Sequence, residues 1–188
     1  IRPLIRLEDQ VIWGATAAYR AQMIWIQHIA EGYLPADFDY PNIQQEVRDI
    51  KESIEKRLEN KTFEIVERFT SYAKEGIDFR RSYPKNRFDD VGDFDTLAYI
   101  PENNLLISFE CKYNQPAFCT KDLKRLRERI FGRKNKRGQI GKIERRETFL
   151  QDNYGEIFEL LEWTKPNDTF VPEIINVYVC RDIYWWME

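Results

Sequence analysis

The stretch from Val91 to Lys112, VGDFDTLAYIPENNLLISFECK, constrains the fold more than any other part of the chain. Two apolar runs rich in Leu, Ile, Phe and Tyr flank Pro101–Asn104, where Pro, Asn and an acid supply turn chemistry. The pattern predicts a β-hairpin. A turn centred on Glu102 and Asn103 opposes residues whose numbers sum to 205, so Asp95 faces Glu110 and Asp93 faces Lys112. Directly opposed side chains share one face, with Cβ atoms roughly 4.5–5.5 Å apart. The other face, with Phe94, Ala98, Ile100, Leu105, Ile107 and Phe109, is expected to be the core face.

Two carboxylates and an ammonium thus converge at the open end of the hairpin. The plain reading is an exposed cross-strand ion pair, worth roughly a few tenths of a kcal/mol. The sharper reading is a divalent-cation site. Mg²⁺ is typically held by one or two carboxylates together with waters and substrate phosphate. Asp95 and Glu110 supply that pair, and Lys112, two residues after Glu110, holds or deprotonates an attacking water and offsets phosphate charge.

GDFDTLAY followed by FECK resembles the core motif of the PD-(D/E)XK superfamily, the restriction-endonuclease-like metal-dependent nucleases. The resemblance covers the motif and extends over Asn42 to about Arg181, leaving out the first forty residues. It implies that Asp95 is the metal-binding Asp, that Glu110 and Lys112 are the E and K of the second half, and that the Cys111 main-chain carbonyl is a further metal ligand. It also implies a Mg²⁺ (or Mn²⁺) cofactor, DNA as partner, and an acid on the helix before the first strand, for which Glu64 matches best and Glu67 second. Gln139 and Arg133 are candidates for the assisting residue that related nucleases draw from the helix after E-x-K. The pattern departs from the family in lacking Pro before the first Asp, and Asp93 offers a competing carboxylate. Asp95 is favoured because it faces Glu110 and precedes Leu97-Ala98.

Only one histidine, His28, is present, on an apolar helix with Met23, Ile24, Trp25 and Ile26. Ser-His-Asp and Cys-His hydrolases, multi-histidine zinc sites and His-based nucleases lose their support, and chemistry must rest on carboxylates, Lys, Arg or Tyr. Cys111, Cys119 and Cys180 have no metal-type spacing and read as reduced thiols of a cytoplasmic protein. No run approaches the roughly 20 apolar residues of a membrane helix. The net charge is only −3, but residues 121–146 carry twelve Lys or Arg against three acids, leaving −12 for the remainder. A one-sided basic band behind the motif suits a phosphate backbone, with Lys121, Lys124, Arg125, Arg133, Lys134, Lys136, Arg137 and Lys142 as candidate contacts.

The spacing of apolar residues predicts a lead-in over Arg2–Trp13, a helix over Ala15–Ala30, and a long helix from Asn42 to about Lys74. That long helix is expected to break near Thr62 and to stop at Gly76. Strands are expected over Ile77–Tyr83, the motif hairpin and Glu173–Cys180, with helices over Asp122–Phe131 and Ile140–Asn153. The aromatic and Met residues of the first helix read as core. Tyr113 and Gln115 lie in a loop that could shape a substrate entrance.

The expected fold is α/β, a restriction-endonuclease-like core in αβββαβ order with a small mixed sheet flanked by helices. Residues 1–41 form an N-terminal helical extension and 42–188 the nuclease-like domain. Ile1 is not an initiator, so a longer polypeptide is expected, and an oligomer is compatible with the sequence. The expected function is Mg²⁺-dependent hydrolysis of DNA phosphodiesters. Its rival is a catalytically inactive nuclease-like module that binds nucleic acid or protein within a larger assembly.

Overall fold

The computed structural model describes residues 4–34, 40–115, 117, 120–165, 167 and 169–181. The chain divides into two compact units, residues 1–56 and 57–188. In the first, β1 (Leu4–Leu7) and β2 (Gln10–Trp13) form an antiparallel hairpin, followed by α1 (Ala15–Ala30). Gly32, at φ +75°, then lets the chain pass the helix α2 (Pro41–Val66), because a Cβ here would stand 2.6 Å from the Lys51 Cα. The expected boundary was 41/42; the observed one lies inside α2. Tyr19, Met23 and Ile26 of α1 are exposed rather than core, since a two-stranded hairpin offers too little surface to cover them.

The second unit holds the end of α2, then β3 (Ala73–Ile77), the short α3 (Phe79–Ser82), β4 (Phe94–Ile100) and β5 (Leu105–Lys112). The chain continues through α4 (Thr120–Phe131), a hairpin of β6 (Gly132–Arg133) and β7 (Lys136–Arg137), α5 (Gln139–Leu160) and β8 (Glu173–Cys180). The sheet runs β3-β4-β5-β8, antiparallel except for the parallel β5–β8 pair. That parallel pair requires a long crossover, which α4 and α5 supply. This is a small mixed sheet flanked by helices.

The motif hairpin forms with the expected register, Thr96 opposite Phe109 and Ile100 opposite Leu105. Pro101–Asn103 makes one 3₁₀ turn and Asn104, at φ 57°, closes it in the left-handed region that Asn tolerates.

Two expectations upstream fail. α2 is continuous and ends at Val66; the Thr62 hydroxyl bonds back to the Leu58 carbonyl (3.0 Å) within the helix and caps nothing. Residues 73–77, including Lys74, are strand, and 79–82 are helical, so the first core strand lies four residues before its expected start. The cause is tertiary pairing. The Thr70 hydroxyl donates to the Tyr99 carbonyl (2.7 Å) and accepts from the Tyr72 N–H (3.1 Å), and Tyr99 N–H donates to the Tyr72 carbonyl (2.8 Å). These bonds draw the chain onto β4, and the Asp78 carboxylate then caps the Arg81 N–H (3.1 Å) to turn it away.

The core face also differs from expectation. Leu97, Tyr99 and Leu106 are wholly buried against Phe149, Leu150, Ile157 and Phe158 of α5, with the Tyr99 and Phe158 rings edge-on at 4.8 Å. Ile100, Leu105, Ile107 and Phe109 are half-buried; of the expected set only Phe94 and Ala98 are fully enclosed. Each fully buried side chain of this size stabilises the fold by roughly 1.5–3 kcal/mol. α5 therefore anchors on the face of the hairpin that carries the candidate site at its open end.

Candidate active site

The β4–β5 ladder ends at Thr96–Phe109, one step before the candidate carboxylates. There a side chain takes over from the backbone: Asp95 Oδ2 accepts the Cys111 N–H at 2.6 Å. Asp95 and Glu110 are 9% and 4% exposed, so both carboxylates sit in the interior at the strand ends. The Lys112 ammonium stands 2.8 Å from Glu110 Oε1 and 3.4 Å from Asp95 Oδ2, and donates to the Cys111 carbonyl at 2.8 Å. The three oxygens expected to hold a metal ion thus surround one side-chain cation.

A fourth charged group completes the cluster. Arg146 of α5, 7% exposed, pairs through Nη1 with Glu110 Oε2, donates from Nε to the Val91 carbonyl (3.1 Å), and lies with its guanidinium 5.5 Å from the Phe94 ring centre. Two carboxylates and two cations balance, which is what permits their burial. Arg146 escapes the sequence reading because it closes the run of cations assigned to a phosphate backbone. The signal was its spacing: it lies three residues from both Ile143 and Phe149, inside the apolar stripe of its helix.

Burial raises the Asp95 carboxyl above its ordinary range, and the Glu110 charge adds to this, while Lys112 and the Cys111 N–H pull the other way. Burial alone would lower the Lys112 amine, but Glu110 and Asp95 outweigh it and hold it raised. Lys112 is therefore an ammonium at neutral pH and cannot abstract a proton while so held. The Cys111 thiol, 3.4 Å from the Thr62 hydroxyl, is pushed up to about 11 by burial and is no nucleophile.

Asp93 is exposed and precedes β4, so Asp95 is the aspartate of the cluster. Glu64 is also exposed and pairs with Lys61 (3.3 Å), and Glu67 lies beyond the end of α2. The α2 acid whose charge reaches Asp95 and Cys111, weakly, is Glu59, five residues before the expected Glu64. Gln139 belongs to a separate network: it accepts from the Tyr178 hydroxyl (2.6 Å) and donates to Asn114 Oδ1 (3.2 Å), and Asn114 Nδ2 donates to Tyr178 (2.7 Å). Tyr113 is buried, its hydroxyl accepting from Arg181 (2.9 Å), so it does not line an entrance. Gln115 is half-buried, and Cys119 lies outside the described residues.

All eight candidate phosphate contacts are exposed. Lys121, Lys124 and Arg125 stand on the outer side of α4, opposite the buried Leu126 and Ile130. Arg133 is held by Glu128 (2.7 Å) and so is not a member of the buried cluster. Among the described residues no three or more His, Cys, Asp or Glu side chains gather into a metal cage, and no helix is long and apolar enough to cross a membrane. Compared with family models, curated proteins and solved structures, the chain shows no significant match.

Proposed function

We propose that residues 57–188 form a divalent-metal-dependent nuclease of the PD-(D/E)XK type that hydrolyses DNA. One observation carries this reading: Glu110 Oε1, Asp95 Oδ2 and the Cys111 carbonyl oxygen converge on a single positive charge, the Lys112 ammonium. Three hard oxygens around one cation, two of them from carboxylates, are the donor set that Mg²⁺ accepts when water and phosphate complete its shell. Among the described residues no third carboxylate joins the group, which fits Mg²⁺ or Mn²⁺ better than an ion caged entirely by protein.

When bound, the ion would polarise the phosphoryl oxygen and lower the pKa of a bound water. The protein's own groups do the rest. Asp95 and Glu110 would hold the ion, and Arg146 fixes the far oxygen of Glu110 so that Oε1 stays turned toward the site. Lys112, displaced from Glu110 and Asp95 by the ion, would contribute as a donor and a positive charge beside the phosphate. The exposed cations of 121–142 hold the phosphate backbone without reading bases.

The test is cleavage of plasmid and oligonucleotide DNA with Mg²⁺, Mn²⁺ or EDTA, by the wild type and by Asp95→Asn and Glu110→Gln. Metal-dependent cleavage lost in both variants supports the reading. A second reading is favoured by the charge balance of the cluster without any ion: a catalytically inactive module that binds nucleic acid. DNA binding with no cleavage in either metal selects it.

A further inference from the structure

We propose that the groove beside the β6–β7 hairpin receives an unpaired nucleotide, so that the preferred ligand is single-stranded rather than duplex DNA. This rests on the reading of residues 57–188 as a DNA-acting unit and goes beyond it in naming the strand form. The groove encloses about 870 Å³ between the hairpin, α5 and the Asp89–Val91 segment.

Its hairpin wall is closely built. Gly132 has φ +90°, and a Cβ there would stand 2.5 Å from the Lys136 carbonyl and 2.6 Å from the Gly138 N–H, so only glycine lets the two arms close. Arg133 is tied back to Glu128. Among the described residues Lys134, Lys136 and Arg137 make no ion pair, which leaves three exposed cations on the hairpin.

The groove also holds an exposed aromatic. Phe131, the last residue of α4, is 50% exposed, although its neighbour Ile130 is wholly buried, and Arg127 lies 6.0 Å from its ring centre. A flat ring among free cations is the pairing that binds single strands: bases stack on the ring while phosphates follow the cations. Asp89, Glu144 and Asp152 also line the groove and accept hydrogen bonds, and Arg145 beside them is tied to the Asp90 carbonyl. Phosphates are expected along the hairpin cations, and the base points inward to acceptors that suit exocyclic amino groups. In a duplex those groups are already paired and the faces of the bases are stacked. The groove is linked to the carboxylates by contact, because Val91 lines it and the Val91 carbonyl accepts from Arg146, which holds Glu110.

The test measures anisotropy of a fluorescein-labelled 20-nucleotide strand and of the same sequence as a blunt duplex, in EDTA so that no cleavage occurs. The wild type is expected to bind the single strand about tenfold more tightly than the duplex. Phe131→Ala is expected to lower single-strand affinity about tenfold, leaving duplex affinity within twofold, and Phe131→Trp to retain it. A strand containing 2-aminopurine is expected to be quenched by the wild type and not by Phe131→Ala. Unchanged single-strand binding by Phe131→Ala, or equal loss on both forms, overturns the proposal. Failure of the nuclease reading shows separately, as a wild type that binds the strand but cleaves neither form with Mg²⁺ or Mn²⁺.

Discussion

Arg146 of α5 and Glu110 of β5 form an ion pair in the interior, with side chains 9% and 5% exposed. The pair joins the helix that covers the sheet to the strand that carries the candidate site. Breaking a buried pair from one side leaves an uncompensated charge. Arg146→Met is therefore expected to lower unfolding free energy by about 3 kcal/mol. The double variant Arg146→Met/Glu110→Gln is expected to lose less than the sum of the single losses. Urea unfolding of the four proteins measures the coupling, and strictly additive losses would contradict the pairing.

Lys112 is the second test. Removing its ammonium leaves Asp95 and Glu110 facing each other, so Lys112→Ala is expected to lose about 1–3 kcal/mol of stability as well as cleavage. A divalent ion can replace the missing charge. Addition of Mg²⁺ or Mn²⁺ is expected to raise the Tm of Lys112→Ala by several degrees, more than that of the wild type, where ion and ammonium compete for the same oxygens. Thermal melts with and without metal measure this, and an equal response in both proteins counts against a shared seat.

The pH dependence of Asp95 has a definite sign. Its carboxyl is raised above the usual 3.8 by burial first and by the Glu110 charge second. The native state then binds this proton more tightly than the unfolded chain, so the ionised group costs stability at neutral pH, and the cost fades as pH falls toward 3.8. Asp95→Asn is expected to be at least as stable as the wild type at pH 7, with the difference shrinking on acidification, while cleavage is lost. Denaturant titrations at pH 7 and near pH 4 decide it; a variant less stable at pH 7 and not at pH 4 reverses the sign.

The hairpin cations act through phosphate. Lys134→Ala/Lys136→Ala/Arg137→Ala is expected to weaken DNA binding uniformly across sequences and to flatten the slope of log affinity against log salt by about 2–3. Titrations from low to moderate salt measure the slope. An unchanged slope removes these residues from the interface.

Much of the motif was legible because local chemistry decides it. PENN sets the turn, the turn sets the register, and the register brings Asp95 and Glu110 to the same end of the hairpin. β8 was legible as a β-branched run, and α1 as a helix with matching bounds. The stretch from Glu67 to Tyr83 was not, because AKEGI has little strand propensity of its own and becomes strand only by pairing with β4. The expected run of the long helix to about Lys74 misled, for Phe69 is 75% exposed beyond the helix end. Glu59 could be placed only once the sheet fixed which turn of α2 meets the strand ends, while the spacing of Arg146 showed its burial but not its Glu110 partner.

The most direct measurement is anomalous diffraction from crystals soaked in Mn²⁺. One anomalous peak is expected beside the Asp95 and Glu110 carboxylates and the Cys111 carbonyl, with the Lys112 ammonium moved out of its present contacts. Crystals with no peak there, and Lys112 still bound to all three oxygens at saturating Mn²⁺, would contradict the claim that these oxygens form a cation seat.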